Sequence, residues 1–372
     1  MTKKILPVYA AFILLLACSI TSQAGTPTTS TKLSPSPTEI PTPLEPTTTP
    51  WETSIPPSLR NYADIKGIRF GTYFPWQVSS DPNWQTVAGE EFNQANLFDG
   101  FSWRDLEPQQ GVFNFSFIDT QVALARSLEM EVCGHTLLWP IYEQAYPDWV
   151  LNGNFSANQL EQYLREYITT VINHYKDDVH CWIVIEEPYN PPEREWDLLY
   201  NVFGYDYIDL AYQIAREADP SALLIYNDEF NLTSDGENTE LTRQTVQRLA
   251  RKGLVDGVGL EMHLDATQPP DKQDVLATMQ SYGMPVHVTE IDVNLAGVPG
   301  TQEERYGLQA QIYGDMLSAC LESGICASFS VWGLGDKYSW LERYSTEADP
   351  TLFDDNLGPK PAYYTLLEIM KP

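Results

Sequence analysis

From Ile68 to the C-terminus, short apolar runs alternate with longer stretches whose apolar positions recur every three or four residues. The short runs read as buried strands and the longer ones as amphipathic helices. Eight runs can be counted, at 68–74, 93–98, 131–139, 181–186, 223–228, 257–263, 286–293 and 327–334. The stretches between them include "ANQLEQYLREYITTVINHY" and "ENTELTRQTVQRLARKG", the second stopping at Gly253, where a helix would end. Eight strand–helix units in succession predict an α/β fold, a (β/α)8 TIM barrel over residues 59–372, rather than an open doubly wound sheet. No glycine-rich phosphate fingerprint follows the first strand, which argues against a nucleotide site.

The first 58 residues follow neither period. Lys3 and Lys4 precede an apolar run too short to span a bilayer, and small residues follow, the layout of an export signal. Leu15, Leu16, Ala17 and Cys18 resemble the lipobox of bacterial lipoproteins. On that reading 1–17 is a signal peptide and Cys18 the lipid anchor that holds the protein to the bacterial cell envelope, outside the cytoplasm. An ordinary signal peptide with an incidental cysteine is the alternative. Residues 25–58 are dominated by Pro, Thr and Ser and cannot build a core, so 18–58 reads as a disordered linker that extends as a stalk.

Composition narrows the partners. The formal charge is −29, from 51 acids and 22 bases, which disfavours nucleic acid and other polyanions. Ten tryptophans and twenty-one tyrosines suit a surface that stacks on sugar rings. Cys320 and Cys326 flank "LESGI", and in an exported protein they read as a short-loop disulfide, with free buried thiols as the alternative. Cys133 and Cys181 lie in strand-like runs and read as simple core residues. No zinc-type spacing is present; no metal and no cofactor are expected, and the chain is expected to act as a monomer.

In a (β/α)8 barrel, chemistry sits at the C-terminal ends of the strands. The polar and aromatic residues there are Asp99 after the second strand, His135 and Trp139 in the third, Glu186 and Glu187 in the fourth, and Asp228 and Glu229 in the fifth. Glu261 and His263 follow in the sixth, Glu290 and Asp292 in the seventh, and Trp332 in the eighth. Two carboxylates across a cleft can cleave a glycosidic bond, one protonating the leaving oxygen and the other attacking the anomeric carbon or activating water. Glu187 and Glu290, on strands four and seven, are the candidate pair. His135 and His263 either orient hydroxyls and carboxylates or serve as hydrogen-bonded barrel histidines, and Trp332 and Trp340 serve as sugar-stacking walls or loop anchors. Pro188 biases Glu187 toward an extended backbone.

Across about residues 65–370 these features resemble glycoside hydrolase family 10, the retaining endo-β-1,4-xylanases. "FSWRDLEPQQGVFNF" is similar to the family's segment around KW-x-x-x-EP, "GHTLLW" to its GHTLVW, and "PDWV" to its PSWV. "VDGVGLEMHL" is similar to IDGIGLQSHL, "VHVTEIDV" to ITELDI, "VWGLGDKYSWL" to WGVTDxxSW, and "LFDDNLGPKPAY" to the terminal LFDxNxxPKPAY. The resemblance implies an acid/base at Glu187, a nucleophile at Glu290, glycone-site histidines at His135 and His263, and sugar platforms at Trp139, Trp332 and Trp340. It also implies pairing of Cys320 with Cys326, and a β-linked polysaccharide, foremost xylan, as substrate.

Departures from the family pattern cluster on the glycone side. Glu186 stands where the family keeps an asparagine for the sugar 2-hydroxyl, and Glu261 where it keeps the glutamine of QSH. Phe98, Asp99 and Ser102 replace a Glu-Asn pair and a lysine, and Pro140 and Tyr142 replace a histidine and a glutamine. Asp99, Glu186 and Glu261 are accordingly candidates for altered sugar contacts. Glu186 either turns away from the cleft, as strict strand alternation allows, or replaces an amide contact with a carboxyl. The extra acids should raise neighbouring carboxylate pKa values and disfavour uronate groups next to the cut. A non-catalytic glycan-binding lipoprotein, or a β-glycosidase of altered sugar specificity, is the alternative to a retained β-glycanase.

Overall fold

The computed structural model describes residues 57–189 and 198–372. The expected signal peptide, Cys18 and all but the last two residues of the expected linker lie outside the described residues. Eight strands follow in chain order: β1 (Arg69–Tyr73), β2 (Gln94–Leu97), β3 (Glu131–Leu138), β4 (Val179–Ile185), β5 (Leu223–Asp228), β6 (Gly257–Asp265), β7 (Val286–Asn294) and β8 (Cys326–Val331). Each pairs in parallel with its neighbours in sequence, and β8 closes on β1 to complete a barrel. Each of the eight apolar runs forms one of these strands. The eighth stops at Val331 rather than 334, because Gly333 turns the chain at φ +113°, a conformation open to glycine.

The helices show why alternation builds this shape. Ala157–Tyr175 buries Leu160, Leu164, Tyr167, Ile168, Val171, Ile172 and Tyr175 along one face, and Ser156 with Gln159 forms a capping box at its start. Tyr167 Oη reaches Leu137 O at 3.1 Å, tying that helix to β3. Helix Glu237–Arg251 ends two residues before Gly253, which adopts φ +69°.

Cys133 and Cys181 are disulfide-bonded, which corrects the reading of both as simple core residues. Parallel register sets them side by side on β3 and β4, with Cα atoms 4.6 Å apart, although 48 residues separate them in sequence. Cys320 and Cys326 form a second disulfide, joining the end of helix Gln302–Ser323 to β8. Loop-closure entropy makes the longer link worth about 4 kcal/mol and the shorter about 2.

Beyond β8, Lys360 Nζ donates to Asp336 Oδ2 at 2.9 Å, with both side chains 3% exposed. Asp336 Oδ1 also accepts from Thr351 N at 2.8 Å. This buried knot fixes the turn at Asp336–Tyr338, from which the short helical segment Trp340–Arg343 follows toward the barrel mouth.

Candidate active site

A cleft of about 390 Å³ opens at the C-terminal ends of the strands. Glu186, Glu187, Glu229, Glu261 and Glu290 supply its carboxyl groups. Phe98, Trp139, Tyr142, Trp332 and Trp340 line its walls, with His263 and Arg343 between them.

Glu290, on β7, is 3% exposed and held from both sides. His135 Nε2 lies 3.2 Å from its Oε1, and His263 Nε2 lies 3.0 Å from its Oε2. Asn227 Nδ2, from β5, lies 3.3 Å from Oε1. Burial would push this carboxyl up, but the His135 charge and the hydrogen bonds from His135 and His263 outweigh it and hold the pKa at about 2. The histidines are raised in turn. Burial lowers His135, yet Glu186 and Glu290 lift it to about 10. His263 rises well above its ordinary value because Asp292 and Glu290 outweigh its burial. Asp292 Oδ2 anchors this side, accepting from His263 Nδ1 at 2.9 Å and from Trp340 Nε1 at 2.8 Å.

Glu187 is reached differently. Strand alternation would send Glu186 and Glu187 to opposite faces, yet both line the cleft. Glu187 has φ +44° rather than the extended backbone expected before Pro188. A left-handed non-glycine residue costs about 1–2 kcal/mol, and here it turns a second consecutive carboxyl into the mouth. The backbone is held there by Glu187 N donating to Asn227 O at 3.3 Å. Trp139 Nε1 donates to Glu187 Oε2 at 2.7 Å, so the platform indole is aimed by the carboxylate it borders. Glu229 hydrogen-bonds to Glu187, and burial followed by the Glu187 charge lifts Glu229 to about 7.

Glu186 faces inward, which resolves its two readings: its Oε2 lies 2.8 Å from His135 Nε2. Trp332 stacks on Tyr73 at 4.7 Å and borders His135, while Trp340 meets His263 edge-on. Phe98 is wedged against His135, Trp139 and Trp332 with ring centroids 5.5–5.7 Å away, forming an aromatic wall of the cleft. Asp99 lies beside the five glutamates, lining an adjoining pocket that shares Phe98, Trp139 and Tyr142 with the cleft. Its Oδ2 accepts from Tyr73 Oη and Trp76 N, both at 2.8 Å, because the chain turns at Gly100 and points the carboxylate at the neighbouring loop.

Asn227 and Thr289 escaped sequence reasoning. Asn227 touches Glu186, Glu261 and Glu290, and Thr289 Oγ1 fixes it by donating to its Oδ1 at 2.6 Å. Glu229 was visible as a strand-end acid, but nothing local showed that it would meet Glu187. Asp228, named beside it, is wholly buried and accepts from Tyr226 Oη at 2.9 Å, away from the cleft. The alternation of β5 carried the one available signal: if Asp228 faces the helix layer, Asn227 faces the barrel axis.

His135, Glu186 and Glu290 are compact enough for a metal ion, as are Glu261, His263 and Glu290. Both ring nitrogens of His263 face carboxylate oxygens, however, and two carboxylates face His135 Nε2, so these nitrogens act as donors rather than ligands. The arrangement suits charge stabilisation and proton transfer.

A closed parallel barrel whose mouth sets an ionised, doubly braced carboxylate against rim carboxyls and indole walls defines a glycoside hydrolase. The chain matches Glycosyl hydrolase family 10 over residues 58–369 and belongs to that family. It is 33% identical over 313 residues to endo-1,4-beta-xylanase A of Phanerodontia chrysosporium, covering 82% of this chain and 75% of that protein. Endo-1,4-beta-xylanase B of Thermotoga neapolitana is 30% identical over 315 residues, covering 82% and 88%. Among solved structures, xylanase 10B from Thermotoga petrophila in complex with xylobiose superposes with a TM-score of 0.77 at 29% identity, covering 84% of this chain and 97% of that one. The protein is therefore an endo-1,4-β-xylanase-like glycoside hydrolase.

Proposed function

We propose that the protein is a retaining endo-β-1,4-xylanase in which Glu290 is the nucleophile and Glu187 the acid/base. The observation that carries this division is the bracing of Glu290 by His135 and His263, which keeps it ionised at a pKa of about 2. So weak a base activates water poorly, whereas an ionised carboxylate can attack the anomeric carbon and later depart from it. Glu187 stands at the rim beside Trp139 and Glu229, where it protonates the leaving oxygen and then takes a proton from the incoming water. Trp332 and Trp340 form the walls against which sugar rings stack, and His135 and His263 hold the nucleophile.

Neutral xylan is the preferred substrate in this reading. The domain is carried outside the cytoplasm on a stalk, anchored through a lipid on Cys18, and works as a monomer. The relatives' xylanase activity and the xylobiose bound by the Thermotoga petrophila enzyme support the choice of sugar. A product-resolved panel of β-glycans, with the anomer of the first product followed by NMR, tests the reading. Short xylo-oligosaccharides released as the β-anomer are expected. Release of the α-anomer, or cleavage of another β-glycan with none of xylan, would overturn it.

A further inference from the structure

Three carboxyl groups crowd one amide at the base of the cleft. Asn227 Nδ2 lies 3.3 Å from Glu186 Oε1, 2.9 Å from Glu261 Oε1 and 3.3 Å from Glu290 Oε1. The amide cannot turn to relieve this, because Thr289 Oγ1 holds its Oδ1 at 2.6 Å. A side chain at residue 259 is also excluded, since a Cβ on Gly259 would stand 2.1 Å from the same oxygen. An amide nitrogen carries two hydrogens, so three carboxylates cannot all be satisfied by it. Glu186 Oε2 and Glu290 Oε1 also converge on one imidazole nitrogen, His135 Nε2, at 2.8 and 3.2 Å, so a single N–H faces two carboxyls.

The surrounding charges decide which carboxyls are protonated. Glu290 takes the hydrogen bonds of both histidines, and the second nitrogen of His263 is spent on Asp292. Glu186 faces His135 from β3, Asn227 from β5, Glu261 from β6 and Glu290 from β7, with Tyr212 behind it. Its one cation is thus shared with a stronger claimant. Glu261 faces four acids, namely Glu290, Glu186, Glu187 and Glu229. His263, on its own strand, sits within 4.8 Å but has both nitrogens directed at other carboxylates. Both side chains are almost wholly buried, which adds to the cost of ionising them.

We propose that Glu186 and Glu261 work as neutral carboxylic acids, each presenting to the sugar bound over Glu290 the paired donor and acceptor that a primary amide would present. A protonated carboxyl and a carboxamide have nearly the same shape, so the pocket remains one for a neutral sugar despite its five acidic residues. The inference rests on the reading of Glu290 as nucleophile. Burial pushes both groups upward, and the Glu290 charge adds to it in each, while His135 opposes it only at Glu186. Since the shift is upward, the acid form is complete at low pH and is lost as pH rises through the folded pKa. Two negative charges then replace two donors beside the nucleophile, and the alkaline side of the pH profile falls.

Two measurements test this independently. Infrared titration of the wild-type protein should show buried carboxylic acid carbonyl bands persisting well above the ordinary carboxylate range, with one band lost in Glu186→Gln and one in Glu261→Gln. This readout needs no turnover, so it stands even if the enzyme proves to cleave a glycan other than xylan. The second measurement is the pH profile of kcat/KM, normalised to each variant's own maximum. In Glu261→Gln the alkaline limb should move up by about one pH unit, and Glu261→Gln should exceed Glu261→Ala by about tenfold at acid pH. Absence of the bands in the folded wild type at neutral pH overturns the proposal. An unmoved limb together with a Gln variant no better than Ala would also overturn it, by showing that the ionised carboxylate does the work.

Discussion

Glu290 and Glu187 are the same side chain in two different surroundings. Glu290 is gripped from three other strands, by His135 on β3, Asn227 on β5 and His263 on β6. Glu187 follows the end of β4 with a left-handed backbone and meets one indole N–H and one further acid at the rim. The first surrounding supplies cations and so stabilises charge. The second sets the carboxyl beside an indole N–H and another acid, Glu229. In the proposed mechanism these surroundings divide the work of nucleophile and acid, because local electrostatics rather than residue type sets protonation.

The comparison can be broken most severely at its buried member. Glu290→Gln should lower kcat by about 10⁴-fold on any cleaved glycan, measured by reducing-sugar release, since no other ionised carboxylate is braced beneath the sugar. Glu187→Gln should cost about 10²–10⁴-fold on xylan. That loss should shrink on aryl xylosides whose leaving group needs no proton, a selectivity that Glu290→Gln should not share.

A subtler break is His263→Gln, which removes one of the two cations that hold Glu290 at about 2. A carboxyl depressed in the folded protein is ionised above its folded pKa and protonated below it. Raising that pKa therefore moves the acid limb of kcat/KM upward by about one pH unit, and activity is lost first at the acid end. The smallest effect is expected from Trp139→Phe, which keeps a ring on the platform but deletes the 2.7 Å hydrogen bond to Glu187. A fall in kcat/KM of about three- to tenfold, with the acid limb unmoved, would sharpen the assignment of Trp139 to the rim carboxyl alone.

Much of this molecule was legible along the chain. Short apolar runs between amphipathic stretches revealed eight strands, and Gly253 marked a helix end. Placing acids, histidines and tryptophans at strand ends was enough to collect Glu187, Glu290, His135, His263, Trp332 and Trp340. A strand-end position specifies height in the barrel and not direction: at Asp99 the turn at Gly100 sends the carboxylate to Trp76. Asn227 was hidden because its importance lies in three partners from three other strands. Cys133 and Cys181 were hidden for the same reason, since register between strands is a relation that neither run contains.

Local periodicity thus determined the barrel and the level at which its chemistry would lie, because hydrophobic alternation specifies which face of each element is buried. Closure of β1 through β8 decided the rest. It brought Glu186, Glu261 and Glu290 around one amide, turned Glu187 inward at φ +44°, and set two imidazoles on one carboxylate. Protonation, charge and direction are properties of neighbours in space, and for residues spread from β3 to β7 only the closed barrel makes them neighbours.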